Sequence, residues 1–224
     1  MKEKGKTAII LGATGLTGSL LVDKLLRDGR YVKVKLFSRS PMGISDPKIE
    51  EFIGDMLHLD TFKKDFYADE VFCCIGTTKA KTPDPELYKK IDLGIPVSAA
   101  ELCRSNGIDT FLVVSALGAD AQSGIAYNRI KGEMETSVIQ CGIPKTYILR
   151  PSLIVGGRTE KRTGEWIGKQ VMKVLNPILL GPLKKYRSIN AATIAETMVW
   201  LANNNYEGTY IESDAIEKLV LGNG

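Results

Sequence analysis

The stretch Gly12-Ala13-Thr14-Gly15-Leu16-Thr17-Gly18 follows an apolar, β-rich run at 7–11 and precedes an amphipathic helical pattern. Glycines between a strand and a helix have distinct uses: Gly12 permits a tight turn, Gly15 lets the backbone approach a diphosphate, and Gly18 permits close helix–strand packing. The first amides of the helix and its dipole attract an anion. The stretch therefore predicts a dinucleotide-binding turn. Its predicted contact residues are Gly12, Thr14, Gly15, Leu16, Thr17 and Gly18.

Short β-rich runs alternate with helical stretches beyond this turn. The order predicts an α/β fold, a Rossmann-type doubly wound parallel sheet. Gly107 and Gly142 stand where left-handed helix ends are expected. Strands are predicted at 7–11, 32–38, 49–53, 70–75, 110–115 and 146–149, and helices at 16–28, 85–106 and 127–140.

The pattern loosens after Arg150-Pro151 into glycines, prolines and a charged stretch at 158–162. No internal repeat or linker separates this part from the rest of the chain. We therefore predict a single dinucleotide-binding domain, 1–224, in which about 151–190 form much of a small C-terminal substrate-side lobe. Further helices are predicted near 166–175, 191–202 and 214–219, and a strand at 208–211.

Composition limits the classes of partner. The 224 residues include 30 basic and 26 acidic side chains, and the net charge of +4 is spread along the chain, so no nucleic-acid partner is expected. The longest apolar run, 111–117, is far shorter than the roughly 20 residues of a membrane helix, and the first residues lack a signal-peptide pattern. We predict a cytoplasmic protein without a membrane partner. Four cysteines and one histidine have no metal-ligand spacing, so no metal site is predicted.

The end of the second strand favours one dinucleotide over another. Arg39 lies between Ser38 and Ser40, about 20 residues beyond the glycines, where an NAD-preferring fold carries an acidic residue. A guanidinium beside hydroxyls suits a 2′-phosphate, because it can form charge-assisted, bidentate hydrogen bonds to that dianion. This pattern favours NADP(H), and a solvated surface arginine is the alternative.

Two further strand ends fall at the ligand-binding edge of such a sheet. Asp55 is a candidate acceptor for the adenine amino group, and Met56 is a candidate for packing on the adenine ring; a turn-capping carboxylate is the alternative for Asp55. Gly76 and Thr77, followed by Thr78, can let the backbone approach the diphosphate and the nicotinamide ribose. An ordinary turn is the alternative for Gly76.

Tyr127 and Lys131 lie four residues apart in a helical stretch, so both side chains project from one face, and Ser115 closes the preceding strand. With the glycine-rich turn, this Ser and Tyr-x-x-x-Lys arrangement resembles the short-chain dehydrogenases/reductases over most of the chain. Further motifs resemble the atypical branch that contains the Tat-interacting-protein-like oxidoreductases. They are Cys73-Cys74-Ile75-Gly76-Thr77-Thr78, Ser115-Ala116-Leu117-Gly118-Ala119-Asp120, Lys131-Gly132-Glu133, Arg150-Pro151 and Gly164-Glu165-Trp166.

The resemblance implies a hydride-transfer site. Tyr127 would be the general acid/base, Lys131 would assist it and hold the nicotinamide ribose, and Ser115 would hydrogen-bond the substrate oxygen. An ammonium near the phenol lowers its pKa toward the range that is useful for proton transfer. The resemblance also assigns Arg150, Pro151 and Ser152 to a loop that contacts nicotinamide, with a simple strand terminator as the alternative.

The chain departs from typical members of the superfamily at the helix asparagine that completes their proton relay. Asp92 and Lys89 lie near the expected helix but do not match that asparagine. Several members of the atypical branch are discussed as regulatory proteins, and the resemblance names no agreed small-molecule substrate. Two functions therefore stay open.

The leading interpretation is an NADP(H)-dependent oxidoreductase acting on a small carbonyl or alcohol substrate. The alternative is a non-catalytic NADP(H)-binding sensor or regulatory protein that acts through a protein partner. The residues Trp166, Ile167, Val171 and Leu175 would then form an apolar docking face, although such a stripe is more typical of a core. A sugar-nucleotide epimerase is disfavoured, because 224 residues leave little room for a large substrate domain.

Overall fold

The computed structural model describes residues 5–156 and 181–222, and most of its strands join one parallel sheet. The strands are β1 (Lys6–Leu11), β2 (Tyr31–Ser38), β3 (Ile49–Ile53), β4 (Glu70–Cys73), β5 (Thr110–Val114), β6 (Lys145–Arg150), β7 (Ile154–Val155), β8 (Ile189–Asn190) and β9 (Tyr210–Glu212). The helices are α1 (Leu16–Arg27), α2 (Pro85–Lys89), α3 (Ile95–Asn106), α4 (Ala126–Gln140), α5 (Ala191–Asn203) and α6 (Ser213–Leu221). Short 3₁₀ turns cover Met56–Phe62 and Gly181–Tyr186.

The order of the strands places the ligand-binding edge. The sheet runs β3-β2-β1-β4-β5-β6-β9, with every neighbouring pair parallel. The chain moves outward from β1 to β3 on one side and from β4 to β9 on the other, so its direction of winding reverses between β1 and β4. Sheets of this kind bind ligands at the carboxyl ends of the strands beside that reversal.

Helices cover both faces of the sheet, so the central strands are buried on both sides. Along β1, Ala8 and Ile10 belong to the core under α1, α5 and α6, whereas Ile9 and Leu11 belong to the core under α3 and α4. This alternation follows from the two-residue period of a strand. The predicted doubly wound α/β fold is confirmed.

One predicted helix is interrupted. Instead of a continuous helix at 85–106, a π-helical turn at Lys90–Gly94 separates α2 from α3, and the amide of Ile95 donates to the carbonyl of Lys90, five residues earlier. Pro96 supplies a physical reason, because proline has no amide hydrogen and its ring clashes with the carbonyl four residues before it. The residue whose carbonyl must move is Asp92.

The region after β6 is described only in part. The strand pair β7–β8 aligns Ile154 with Ile189 in a small parallel sheet of its own. The predicted charged stretch at 158–162, the motif Gly164-Glu165-Trp166 and the predicted helix near 166–175 lie outside the described residues. No helix in the described part of the chain is long and apolar enough to cross a membrane.

Candidate functional site

The glycine-rich turn is closed by tight backbone packing. The amide of Gly15 donates to the carbonyl of Gly12 at 2.9 Å, and Gly12 has a φ of +83°. A Cβ on Gly12 would lie 2.8 Å from the carbonyl oxygen of Cys74, and one on Gly18 would lie 2.1 Å from the carbonyl oxygen of Gly12. A side chain at Gly12 would therefore push the turn away from the end of β4, and a side chain at Gly18 would push α1 away from the turn.

The start of α1 offers hydrogen-bond donors at this turn. Gly15 is the N-cap, and no side chain caps the helix. The first amides of a helix have no acceptor within it, so those of Leu16 and Thr17 can serve an anion at the positive end of the helix dipole. Thr17 is buried and Thr14 is exposed.

A cavity of about 320 Å³ lies at the carboxyl edge of the sheet, beside the turn. The structure brings predicted residues from four separate parts of the chain to its walls: the turn, the segment after β4, the end of β5, and α4. Those predicted residues are Gly15, Leu16, Thr17, Gly76, Thr77, Thr78, Ser115, Tyr127 and Lys131. Lys81 and Asp92 also line this cavity, and sequence reasoning did not assign a role to either.

Tyr127 and Lys131 both face the cavity from the first half of α4. Lys131 is buried, whereas Tyr127 exposes 40% of its surface. Gly132 explains how the helix is held there: a Cβ on it would lie 2.1 Å from the amide nitrogen of Ala121. The loop before α4 therefore packs directly on the helix backbone and fixes the start of the helix that carries Tyr127.

Asp92 contacts two elements of the site from the π-helical turn. Its Oδ1 lies 3.0 Å from Nζ of Lys131, and its Oδ2 accepts a hydrogen bond of 2.8 Å from the amide of Thr77. Both ionic side chains are almost completely buried. The sequence does contain a signal for this residue: an acidic side chain between Ile91 and Leu93, four residues before a proline inside a helical pattern.

The charges around Tyr127 give a result that the sequence did not predict. Burial raises the pKa of Tyr127, Lys131 lowers that pKa, and Asp92 raises it again. The net pKa of Tyr127 is raised, whereas the effect of Lys131 alone predicts a lowered one. Burial is the largest cause of the rise, and the Asp92 carboxylate beside Lys131 adds to it.

Ser115 and Arg150 meet at a buried carboxylate. The Ser115 hydroxyl donates to Oε1 of Glu135 at 2.5 Å, and Nε of Arg150 donates to the same oxygen at 3.0 Å. The guanidinium of Arg150 also stacks 4.3 Å from the ring centre of Tyr210. Glu135 thereby joins the ends of β5 and β6 to α4, and it raises the pKa of Arg150 by hydrogen bonding.

The residues after Arg150 also make contacts within the protein. Ser152 donates to the carbonyl of Arg187, and its hydroxyl lies 3.0 Å from that of Ser213. The carbonyl of Pro151 accepts from the amide of Leu117 at 2.8 Å. These contacts join β6 to its neighbours, as expected of a strand terminator.

Arg39 is exposed at the end of β2, and its side chain makes no ion pair or hydrogen bond with the described residues. The hydroxyl of Ser38 donates to the carbonyl of Ser40 at 2.7 Å, which shapes the turn on which Arg39 lies. The guanidinium is therefore available at the edge where the ligand-binding turn also lies.

Asp55 and Met56 lie at the end of β3. The exposed Asp55 caps the following 3₁₀ turn by accepting from the amide of Leu57 at 3.0 Å. The side chain of Met56 is 3% exposed and belongs to the core under α3 and α4. The geometry of Asp55 matches the turn-capping alternative, and Met56 offers little open surface for a ring.

A family model described as NAD(P)H-binding matches residues 12–205. The chain belongs to this NAD(P)H-binding family. It is 30% identical to Protein HTATIP2 of Rattus norvegicus over 75% of this chain and 71% of that protein. It is 32% identical to Protein FMP52-1, mitochondrial, of Scheffersomyces stipitis over 90% of each chain. These relatives confirm the atypical short-chain dehydrogenase/reductase branch.

Solved structures show the same fold at low identity. The Bordetella bronchiseptica enzyme WbmG, in complex with NAD, superposes with a TM-score of 0.68 at 12% identity, over 100% of this chain and 80% of that one. At this identity the likeness concerns the fold alone.

The residues of this NAD(P)H-binding chain fit a dinucleotide. The packed glycine turn leaves a backbone surface that a side chain at Gly12 or Gly18 would fill. Uncapped amides at the start of α1 can take the diphosphate, and the adjoining cavity extends to Tyr127 and Lys131. In the described part of the chain, no group of three or more His, Cys, Asp or Glu side chains could hold a metal ion.

Proposed function

We propose that this protein is an NADP(H)-dependent oxidoreductase that interconverts a small carbonyl compound and its alcohol. One observation carries the proposal: a single cavity joins the amino end of α1 to the Tyr127–Lys131 pair. A phosphate site and a proton-donating phenol in one cavity are what reduction of a carbonyl by a nicotinamide requires. The substrate is expected to enter beside the region at about 151–190, which we propose forms the substrate-side lobe of one domain.

Several residues would hold the dinucleotide. The turn from Gly12 to Gly18 would bind the diphosphate, and the backbone at Gly76 to Thr78 would border the nicotinamide ribose beside Lys131. Asp55 at the end of β3 stays a candidate for the adenine amino group, because one carboxylate can cap a turn and accept a further hydrogen bond.

Tyr127 would transfer the proton. When bound, the nicotinamide supplies the hydride to the carbonyl carbon in reduction, or takes it back in oxidation. The Tyr127 hydroxyl gives its proton to the substrate oxygen in reduction and recovers a proton from solvent afterwards. Ser115 is proposed as a second contact of that oxygen, but its hydroxyl must first leave Glu135.

Arg39 would select NADP(H) over NAD(H). The side chain is exposed beside the Ser38–Ser40 turn and has no internal partner among the described residues. A 2′-phosphate at this place would gain charge-assisted hydrogen bonds, whereas the segment Ser38-Arg39-Ser40 itself offers no carboxylate to a ribose hydroxyl.

A turnover assay tests the proposed function. Wild-type protein and Tyr127→Phe are mixed with NADPH and a panel of small aldehydes and ketones, and the loss of NADPH absorbance is followed. Removal of a general acid should lower turnover by about 100-fold or more. NADPH affinity should be unchanged, because the phenyl ring stays. Equal rates with wild type and Tyr127→Phe, or no turnover of any panel member, would count against the enzyme.

The hydrogen bond from Ser115 to Glu135 favours a second candidate, a non-catalytic NADP(H) sensor that acts through a protein partner. A serine whose hydroxyl donates to an internal carboxylate is expected to have a structural rather than a catalytic role. NADPH binding with no turnover would support this candidate. Its proposed docking stripe at 166–175 lies outside the described residues.

The cellular location stays a prediction. We propose a cytoplasmic protein, whereas the Scheffersomyces stipitis relative carries the word mitochondrial in its name. Fractionation of cells that express the tagged protein distinguishes the two locations.

A further inference from the structure

Among the ion pairs of the described residues, that between Asp92 and Lys131 is the most deeply buried. The two side chains are 1% and 4% exposed, and Oδ1 lies 3.0 Å from Nζ. Oδ1 accepts no hydrogen bond from the described residues, so its contact with the ammonium is ionic. Buried charges of opposite sign interact far more strongly than exposed ones, because little water separates them.

Asp92 also fixes the segment after β4. Its second oxygen accepts from the amide of Thr77 at 2.8 Å, and a Cβ on Gly76 would lie only 3.6 Å from Oδ1. The carboxylate therefore lies between the cavity wall at 76–77 and the lysine on α4. The π-helical turn that carries Asp92 is a local irregularity of a kind often found at functional sites.

Several ionisable groups surround Tyr127, and most are themselves paired. Lys131 lies one turn further along α4, and Asp92 faces both from the π-helical turn. Tyr88 on α2 interacts electrostatically with Asp92 and Tyr127, and Lys81 lines the same cavity. The nearby pair Lys89–Glu133, at 2.9 Å, is half exposed and carries no net charge.

We propose that Asp92 is a positioning residue that keeps Tyr127 protonated through neutral pH, by neutralising Lys131 and by holding the Thr77 segment against the cavity. This inference rests on the proposed function, in which Tyr127 moves a proton. It implies that the site is a proton donor for carbonyl reduction at neutral pH. It also implies that alcohol oxidation, which needs the deprotonated phenol, requires alkaline pH.

The balance of charges agrees with this role. Burial is the largest cause that raises the pKa of Tyr127, and Asp92 raises it further against the lowering effect of Lys131. An isolated lysine at this distance would favour the phenolate. The Asp92 carboxylate opposes that effect of the lysine.

The test is a titration of the phenol in the protein without nucleotide. Tyrosinate absorbance is followed against pH, and the curve of Tyr127→Phe is subtracted to isolate Tyr127 from the other tyrosines. Asp92→Asn keeps an oxygen for the Thr77 amide but leaves Lys131 uncompensated. Its Tyr127 titration should move to lower pH by about one to two units. Because nucleotide and substrate are absent, this result is independent of the proposed activity.

Two further variants complete a double-mutant cycle of Asp92 and Lys131. Lys131→Met should move the Tyr127 titration to higher pH, and the double variant Asp92→Asn/Lys131→Met should return it close to wild type, since both charges are gone. Glu133→Gln is the matched control: it also removes a carboxylate paired with a lysine, but at a half-exposed position where solvent screens the charge. Its titration should match wild type.

The proposal is overturned if Asp92→Asn leaves the titration of Tyr127 where it is, or moves it to higher pH. If Asp92→Asn fails to fold, the double variant is compared with Lys131→Met, because removal of both buried charges leaves none uncompensated. The double variant must then titrate Tyr127 at a lower pH than Lys131→Met does. In active enzyme, the pH profile of kcat/KM for oxidation should shift in the same direction as the titration.

Discussion

Ser115 donates a hydrogen bond of 2.5 Å to Glu135, a residue 20 positions later in the chain and one helical turn beyond Lys131. The same carboxylate binds Arg150 at the end of β6. The end of β5, the end of β6 and α4 are thus joined at one buried group. This joint positions the helix that carries Tyr127, and it occupies the hydroxyl that the resemblance assigns to the substrate.

Ser115→Ala should therefore affect turnover much less than Tyr127→Phe does. We expect a loss of less than about tenfold in kcat, against about 100-fold or more for the tyrosine. The protein should also lose roughly 1.5–3 kcal/mol of stability, because the hydrogen bond from the Ser115 hydroxyl to the charged Glu135 is lost. Steady-state kinetics and urea unfolding measure the two effects. A loss of kcat as large as that of Tyr127→Phe would contradict this ranking, because it would show that contact with the substrate, not with Glu135, dominates the role of Ser115.

Gly132→Ala should destabilise the protein strongly, because the new Cβ would lie 2.1 Å from the amide nitrogen of Ala121. Overpacking of this kind costs about 1–3 kcal/mol or more, since backbone must move. Gly124→Ala is the control, because nothing lies within 4 Å of its Cβ position. Urea midpoints that fall equally for both variants would contradict the close packing of the loop on α4.

Glu70 makes the stability of the fold depend on pH. It is 2% exposed at the end of the sheet away from the cavity, where Tyr31 donates to it and Lys6 pairs with it at 3.1 Å. Burial raises the pKa of Glu70 above its usual value, against the lowering effects of those two partners. The folded state therefore binds the proton of the Glu70 carboxyl more tightly than the unfolded chain does.

The sign of the effect follows from linkage. The stability that protonated Glu70 contributes is complete below the unfolded pKa of about 4.3 and is lost as the pH rises through the folded pKa. Glu70→Gln has no carboxyl that can lose a proton, so it should not lose stability in this way as the pH rises. Its melting temperature should therefore fall less than that of wild type from pH 4.5 upward. Glu196→Gln, which removes a carboxylate paired with Lys24 at an exposed site, should keep the wild-type slope. Parallel curves for wild type and Glu70→Gln would refute the assignment.

Much of the fold was predictable from local sequence patterns. The glycine turn with its flanking strand and helix was predictable because its geometry depends on contiguous residues, and β3 and the start of α1 match their predicted bounds. The parallel sheet followed from the alternation of elements. The left-handed glycine at 107 was predictable from its position after a helix.

Contacts between distant segments were not predictable. Asp92 becomes a partner of Lys131 only because α4 packs beside the π-helical turn, and a helical pattern at 85–106 gives no sign of that packing. The hydrogen bond that occupies Ser115 likewise depends on Glu135 from another element. Met56 reads as a surface contact in the sequence, but the 3₁₀ turn that begins with it directs it into the core.

The most direct test of the account is a fluorescence titration of the purified protein with NADPH and with NADH, for wild type and for Arg39→Ala. Arg104→Ala, an exposed arginine near the end of α3, is the control. We predict that wild type binds NADPH more tightly than NADH. Arg39→Ala should weaken the binding of NADPH about tenfold or more, the loss expected for a charged hydrogen bond, and should leave the binding of NADH unchanged. Arg104→Ala should bind both nucleotides as wild type does. Equal affinity of wild type for the two nucleotides would contradict the 2′-phosphate site, and binding of neither would contradict the proposed function itself.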